Sequence, residues 1–132
     1  MKEFHLEVVT PDGKIFDSQV ESLLVHTDDG DVEFLAGHID YMASLCTGRA
    51  RIKVGGQNRF ASVSGGFVTV SGGAVKLVAI TFEFSEDIDL ERAKAAADRA
   101  KETLAKADSE KSVELAKAKL IRALNRINVA EM

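Results

Sequence analysis

Four arginines and one aspartate carry the only chemistry this chain offers. Arg92 and Arg99 are seven residues apart and Arg122 and Arg126 four apart, so on helices each pair shares a face. Asp89 stands three residues before Arg92. Guanidinium groups fork onto phosphate or carboxylate oxygens, and two facing pairs repel unless something anionic lies between them. Two arrangements meet that need: a polyphosphate held between two helices, or local pairing with Asp98, Glu102 and Glu114. Nothing else points to a reaction. His5, His26, His38 and Cys46 lack metal-ligand spacing. Asp28-Asp29-Gly30-Asp31-Val32-Glu33 lacks the alternating ligands and closing glutamate of a calcium loop. Ser64-Gly65-Gly66-Phe67 leads into a strand pattern, which excludes a nucleophile elbow and a phosphate loop. No nucleophile has a partnered base, so the residues offer no catalytic constellation and an enzyme is not expected.

The elements that position these arginines begin at Ser85-Glu86-Asp87-Ile88-Asp89-Leu90-Glu91-Arg92-Ala93, where the hydrophobic period changes from two to helical. Beyond it there is no glycine or proline up to Met132. Asp87 is the expected N-cap, with Asp89 and Glu91 in the first turn, where the helix dipole favours negative charge. The first helix is expected over 88–106, with Ala93, Ala97, Ala100, Leu104 and Ala107 as its stripe. Asp108-Ser109 ends it and caps a second helix over 110–128, whose stripe is Val113, Ala116, Leu120, Ala123, Leu124 and Ile127. A short connection between matching stripes makes an antiparallel hairpin. Alanine buries little area, so this hairpin is expected to hold weakly and to come apart readily.

Residues 1–84 alternate in twos between turn signals. Phe4 to Val9 is a first strand, Pro11-Asp12-Gly13 a turn, and Val20 to Thr27 a longer strand. Shorter strands are expected over Val32 to Ala36 and Met42 to Leu45. Arg49-Ala50-Arg51-Ile52-Lys53-Val54 has one wet and one buried face. Arg59 to Ser64, Phe67 to Val70 and Val75 to Phe84 follow, separated by Gly65-Gly66 and Gly72-Gly73. The expected class is α+β: an antiparallel β-sandwich or flattened barrel of about ten short strands over 1–84, then a two-helix hairpin over 85–132.

The 132 residues, 45% hydrophobic and 29% charged, suffice for one substantial core. Met1-Lys2-Glu3-Phe4-His5 has no apolar signal region, so secretion is not expected. Cys46 stands alone, which excludes an internal disulfide. The net charge of −4 is uneven: residues 1–87 carry 7 basic and 13 acidic groups, residues 88–132 carry 10 and 8. A mildly basic helical part suits acidic protein or phosphates. The acidic strand half, with one Tyr and no Trp in the chain, argues against a nucleic-acid module.

The chain resembles the epsilon subunit of the bacterial rotary ATP synthase over essentially its full length. The resemblance is carried by Val9-Thr10-Pro11-Asp12-Gly13, Leu35-x-Gly37-His38, Val63-Ser64-Gly65-Gly66-Phe67, Ile88-Asp89-x-x-Arg92-Ala93 and Asn125-Arg126-x-x-Val129-Ala130-Glu131. It implies a non-catalytic coupling subunit of a proton-translocating machine, peripheral on the cytoplasmic face of the membrane. Its β domain would sit on the central stalk against the gamma subunit and the rotor c-ring. Its hairpin would block ATP hydrolysis when extended into the catalytic head subunits, with Lys94, Lys101, Lys117 and Lys119 available to acidic groups there. Resemblance to the Bacillus-like branch implies that the folded hairpin binds ATP as a regulatory ligand; no other cofactor and no metal-ligating residues are expected. The positions matching that branch are Glu83, Ile88, Asp89, Arg92, Ala93, Arg99, Arg122 and Arg126. A purely mechanical stalk subunit is the alternative. The chain departs from the family pattern where prolines are usual, at Ala36 and Asp40, and at Tyr41-Met42.

Overall fold

Strict alternation builds the first strand. In β1 (Phe4–Thr10) the side chains of Phe4, Leu6 and Val8 are buried while His5, Glu7 and Val9 face the other way. The computed structural model describes residues 2–132 of the chain, which divide into two units, the first ending at Phe84 and the second spanning Ser85–Met132.

The first unit continues with β2 (Gly13–Val20), β3 (Ser22–Thr27), β4 (Gly30–Leu35), β5 (Tyr41–Ser44), β6 (Gly48–Val54), β7 (Gln57–Ser71) and β8 (Ala74–Phe84). The strand order is β2-β1-β8-β7-β6-β3-β4, with β5 also paired to β7. All pairs are antiparallel except β1 with β8, which runs parallel through Leu6↔Val75 and Val8↔Leu77. The Glu21 N–H donates to the Lys53 carbonyl at 2.7 Å, tying the end of β2 to β6. The inward faces share one core around Leu6, Leu23, Phe34, Ile52, Val68 and Leu77, each 0% exposed.

Eight strands occur among the described residues, where about ten were expected, and two of them differ from the segments the alternation marked. The expected strands on either side of Gly65-Gly66 are one, β7, because that glycine pair continues the strand and does not turn the chain. Ser64 pairs with Thr81 and Gly66 with Ala79 in one register, so Gly65 stands opposite Ile80 and no residue is inserted on either strand. A Cβ on Gly66, where φ is +105°, would lie 1.9 Å from the Val78 carbonyl oxygen, so glycine alone fits. Beyond the glycine pair the edge of β7 that pairs with β6 as far as Val63 pairs with β5 from Phe67. Residues 13–20 form a strand the alternation did not mark, because β2 lies at the sheet edge and only Val20 is buried.

Asp40, whose presence the sequence left unexplained, has a partner. Its Oδ1 accepts from the Gly72 N–H at 3.1 Å, linking the β4–β5 connection to the turn between β7 and β8.

In the second unit a single 3-10 turn, Ser85–Asp87, leads into α1 (Leu90–Ala105) and α2 (Glu110–Ala130). The N-cap of α1 is Asp89, not Asp87. Asp87 lies inside the 3-10 turn, whereas Asp89 has extended backbone and accepts from the Arg92 N–H at 3.1 Å. Ser109 caps α2 as expected, accepting from the Ser112 N–H at 3.1 Å. The second helix runs two residues past its expected end, and Val129 is fully buried. The connection over 106–109 is short and the helices touch, so they run antiparallel.

Candidate functional site

The two helices bring the arginines to one side of the hairpin. On α1 the buried residues are Ala93, Ala97 and Ala100; on α2, Ala116 and Ala123 lie in the matching stripe. Counting outward from the connection, Ala93 stands opposite Ala123 and Ala100 opposite Ala116. At about 100° per residue, Arg92 and Arg99 lie roughly 110–130° around α1 from its stripe, and Arg126 and Arg122 roughly 70–110° around α2 in the same rotational sense. Because the helices run in opposite directions, equal rotations on facing stripes lead to the same side of the pair. All four guanidiniums therefore share one face.

Their heights differ. At about 1.5 Å per residue, Arg92 is about 3 Å from the level of Arg122 and about 3 Å from that of Arg126, less than one turn. Arg99 lies more than a turn nearer the connection. Arg92, Arg99 and Arg122 are exposed and Arg126 is half-buried. The local pairing with Asp98, Glu102 and Glu114 is not made by Arg92, Arg99 or Arg122, whose side chains carry no ion pair among the described residues; Arg126 has interactions of its own. Asp89 spends Oδ1 on the helix cap, which orients its carboxylate at the mouth of α1 beside Arg92.

The remaining positions play a different part. Ile88 and Ala93 are buried, so they seat the start of α1 and do not face a ligand directly; α2 also touches the 3-10 turn. Glu83 lies on β8, half-buried and in register with Ser62, in the other unit. Lys119 was not among the expected site residues, yet it is exposed on the arginine face. The spacing 119, 122, 126 is its sequence signal. No group of histidine, cysteine or acidic residues suited to a metal occurs among the described residues, and none of their helices is long and apolar enough to cross a membrane.

The β unit offers a second surface. Ile39 is 77% and Met42 72% exposed, the highest values for large apolar side chains among the described residues. Its polar outer face carries a charge network in which Lys14 pairs with Glu7 at 3.1 Å and Asp17 at 2.9 Å. The hydrogen bond from Lys14 is the main cause holding each carboxyl below its usual range, and those to Asp17 and Glu7 raise the lysine.

Family models cover both units. One described as ATP synthase, Delta/Epsilon chain, beta-sandwich domain matches residues 3–85, and one described as ATP synthase, Delta/Epsilon chain, long alpha-helix domain matches residues 86–131. The chain belongs to the ATP synthase delta/epsilon family. The ATP synthase epsilon chain of Bacillus subtilis is 42% identical over 130 residues, and that of Bacillus velezensis 41% over 130, with 98% of both chains covered in each case. Among solved structures, a chain of the Euglena gracilis mitochondrial ATP synthase shares the fold with a TM-score of 0.84 at 22% identity, over 98% of this chain and 82% of that one. A chain from the Tetrahymena thermophila mitochondrial ATP synthase gives 0.69 at 12%, over 98% and 97%. As a member of the delta/epsilon family with epsilon-chain relatives, the protein is a non-catalytic stalk subunit of an ATP synthase.

Proposed function

We propose that this subunit couples the catalytic head of a proton-translocating ATP synthase to its rotor and restrains ATP hydrolysis through its helical hairpin. The β unit holds the subunit on the central stalk, against gamma and the rotor c-ring, on the cytoplasmic face of the membrane. The folded hairpin takes ATP as a regulatory ligand; extended, it engages the catalytic head subunits and stops hydrolysis. The observation that carries the reading is the shared arginine face. Arg92, Arg122 and Arg126 lie within about one turn of each other in height. Cations this close repel in the folded hairpin and welcome a triphosphate, whose charge-assisted bonds to guanidinium are about twice as strong as neutral ones.

The helix packing explains how a small ligand can decide the state. Alanines dominate the buried stripes, each burying little apolar area, while Leu115, Ile121 and Leu124 remain 56%, 55% and 41% exposed. A hairpin held this weakly shifts its population in response to a ligand that binds only its folded form.

Reconstitution tests the reading. An ATP synthase depleted of this subunit is rebuilt with the full chain or with a chain ending at Ser85, and hydrolysis is followed at low ATP. The shortened chain retains every residue of the β core, so it is expected to assemble and to give faster hydrolysis. Equal rates would leave the subunit a mechanical coupler with no brake.

A further inference from the structure

Every lysine and arginine of residues 88–132 but three has an aspartate or glutamate three or four positions away, the spacing at which a helix surface pairs opposite charges. The exceptions are Lys119, Arg122 and Arg126, which follow one another at steps of three and four. The one-turn neighbours of Lys119 are Leu115, Ala116, Arg122 and Ala123, so its nearest charge along α2 is another cation. Like charges at that spacing destabilise a helix. Lys119 is exposed and carries no ion pair among the described residues.

The facing helix supplies no carboxylate there either. Lys119 lies roughly 50° around α2 from its stripe, in the sense of Arg122 and Arg126 and so near the seam between the helices. With Ala93 opposite Ala123, it stands at the level of Ala97. Asp98 is close to that level but lies roughly 130° around α1 in the opposite sense, and Glu102 roughly 170°. On the near side α1 presents Ala96, which ends at its Cβ, and Arg99. Asp89 is about 12 Å away toward the open end of the hairpin, with Oδ1 engaged in the cap.

The levels of the cations show what Lys119 adds. Without it, Arg99 is about 7.5 Å from the level of Arg122, more than a turn. With it, the order Arg126, Arg92, Arg122, Lys119, Arg99 descends the face in steps of about 3–4.5 Å. An unbroken row of cations suits a ligand whose negative charge repeats along its length, as a chain of phosphates does. We infer that Lys119 is a further phosphate-binding residue of the hairpin, bridging Arg122 and Arg99 so that one polyphosphate chain meets both. The inference rests on the reading that the folded hairpin takes ATP. A lysine suits the bridging place: its ammonium is a compact point charge on a flexible stem, which needs no fixed fork geometry to meet a phosphate oxygen.

Calorimetric titration of ATP into the full chain tests this with Lys119→Ala, Lys119→Arg and Lys111→Ala beside wild type. Lys119→Ala is expected to weaken ATP binding about 10-fold, the low end for a charge-assisted contact, and to make the affinity less sensitive to added salt. Its melt without nucleotide is expected to be unchanged or slightly raised, because alanine removes a like-charge neighbour and is at least as good a helix former. A lysine that served only to pack the helix would lower that melt. Lys119→Arg keeps the cation and is expected to bind nearly as wild type. Lys111→Ala removes an exposed cation about 12 Å along the same helix, beyond the screening distance of about 8 Å at physiological salt, and is expected to bind as wild type. Wild-type affinity in Lys119→Ala, or an equal loss in Lys119→Arg or Lys111→Ala, would overturn the role of Lys119 and leave ATP binding by the hairpin standing. No ATP binding by wild type would defeat the underlying reading, and this inference with it.

Discussion

Removing Arg92 separates ligand binding from folding more cleanly than any other change in the hairpin. The side chain is exposed and carries no ion pair among the described residues, and alanine is at least as good a helix former as arginine. Arg92→Ala is therefore expected to leave the melt without nucleotide nearly unchanged. With ATP at about ten times its dissociation constant, mass action adds about 1.4 kcal/mol to the folded hairpin, a rise of about 6–11 °C for a small unit. One charge-assisted contact is worth about 1.5–3 kcal/mol, so its loss weakens binding about 10- to 150-fold. The same ATP concentration then adds about 0.4 kcal/mol or less, and the rise falls to about 3 °C or below. Circular dichroism at a helix wavelength follows the hairpin, since both α-helices of the described chain lie in the second unit. Arg126→Ala is expected to lose the ATP effect too, but its half-buried side chain has interactions of its own, so it also lowers the melt without ATP. Arg49→Ala, exposed on β6, is the control. Arg51, although on the outer face of the same strand, pairs with Glu33 and would disturb the sheet. No shift in wild type at millimolar ATP, or an equal loss in Arg49→Ala, would refute the reasoning.

Asp89→Ala removes the cap of α1 and is expected to cost the hairpin about 1 kcal/mol, whereas Asp87→Ala is expected to stay within about 0.5 kcal/mol of wild type; comparable losses measured by chemical denaturation would put the cap elsewhere. Gly66→Ala sets a Cβ 1.9 Å from the Val78 carbonyl at a positive φ, so a loss of about 3 kcal/mol or more, or failure to fold, is expected, and a wild-type melt would show that β8 does not approach Gly66 so closely. The Lys14 network gives a pH signature. Glu7 and Asp17 are depressed when folded, so their contribution is complete above their unfolded values and disappears as pH falls through the lower folded ones. The raised Lys14 contributes below its unfolded value and is lost as alkaline pH passes its folded one. Lys14→Met is thus expected to lower the melting temperature at pH 7 and to match wild type near pH 2; a difference independent of pH would mean the lysine acts by packing.

The parts of the fold legible in the sequence are those where one face is buried and the other wet. β1 and β6 alternate apolar with polar residues, the first helix repeats alanine at steps of four and three, and the second carries Val113, Ala116, Leu120 and Ala123 at steps of three and four. β2 escaped because Lys14-Ile15-Phe16-Asp17-Ser18-Gln19 lies on an edge where neither face is fully covered, so no period records it. The glycine pairs look alike in sequence and differ in space. Gly72-Gly73 turns the chain in the open, while Gly65-Gly66 lies against β8, and only the neighbouring strand tells them apart. The cap was displaced by two residues because aspartate stands at 87 and at 89, and buried Ile88 between them decides where the helix begins. For the candidate site, spacing showed that each arginine pair shares a face on its own helix. That both pairs share one side of the hairpin follows only once the helices are antiparallel and their buried stripes are known. The same step adds Lys119 to the face and leaves Ile88 and Ala93 beneath it.

The central claim is that the hairpin of this delta/epsilon chain is a nucleotide-binding element. Calorimetric titration of ATP into the isolated full chain tests it most directly. The account predicts saturable heat with one nucleotide bound per chain, weakened about 10- to 150-fold by Arg92→Ala, and absent in a chain ending at Ser85. No saturable heat at millimolar ATP, or undiminished binding by the shortened chain, would contradict it.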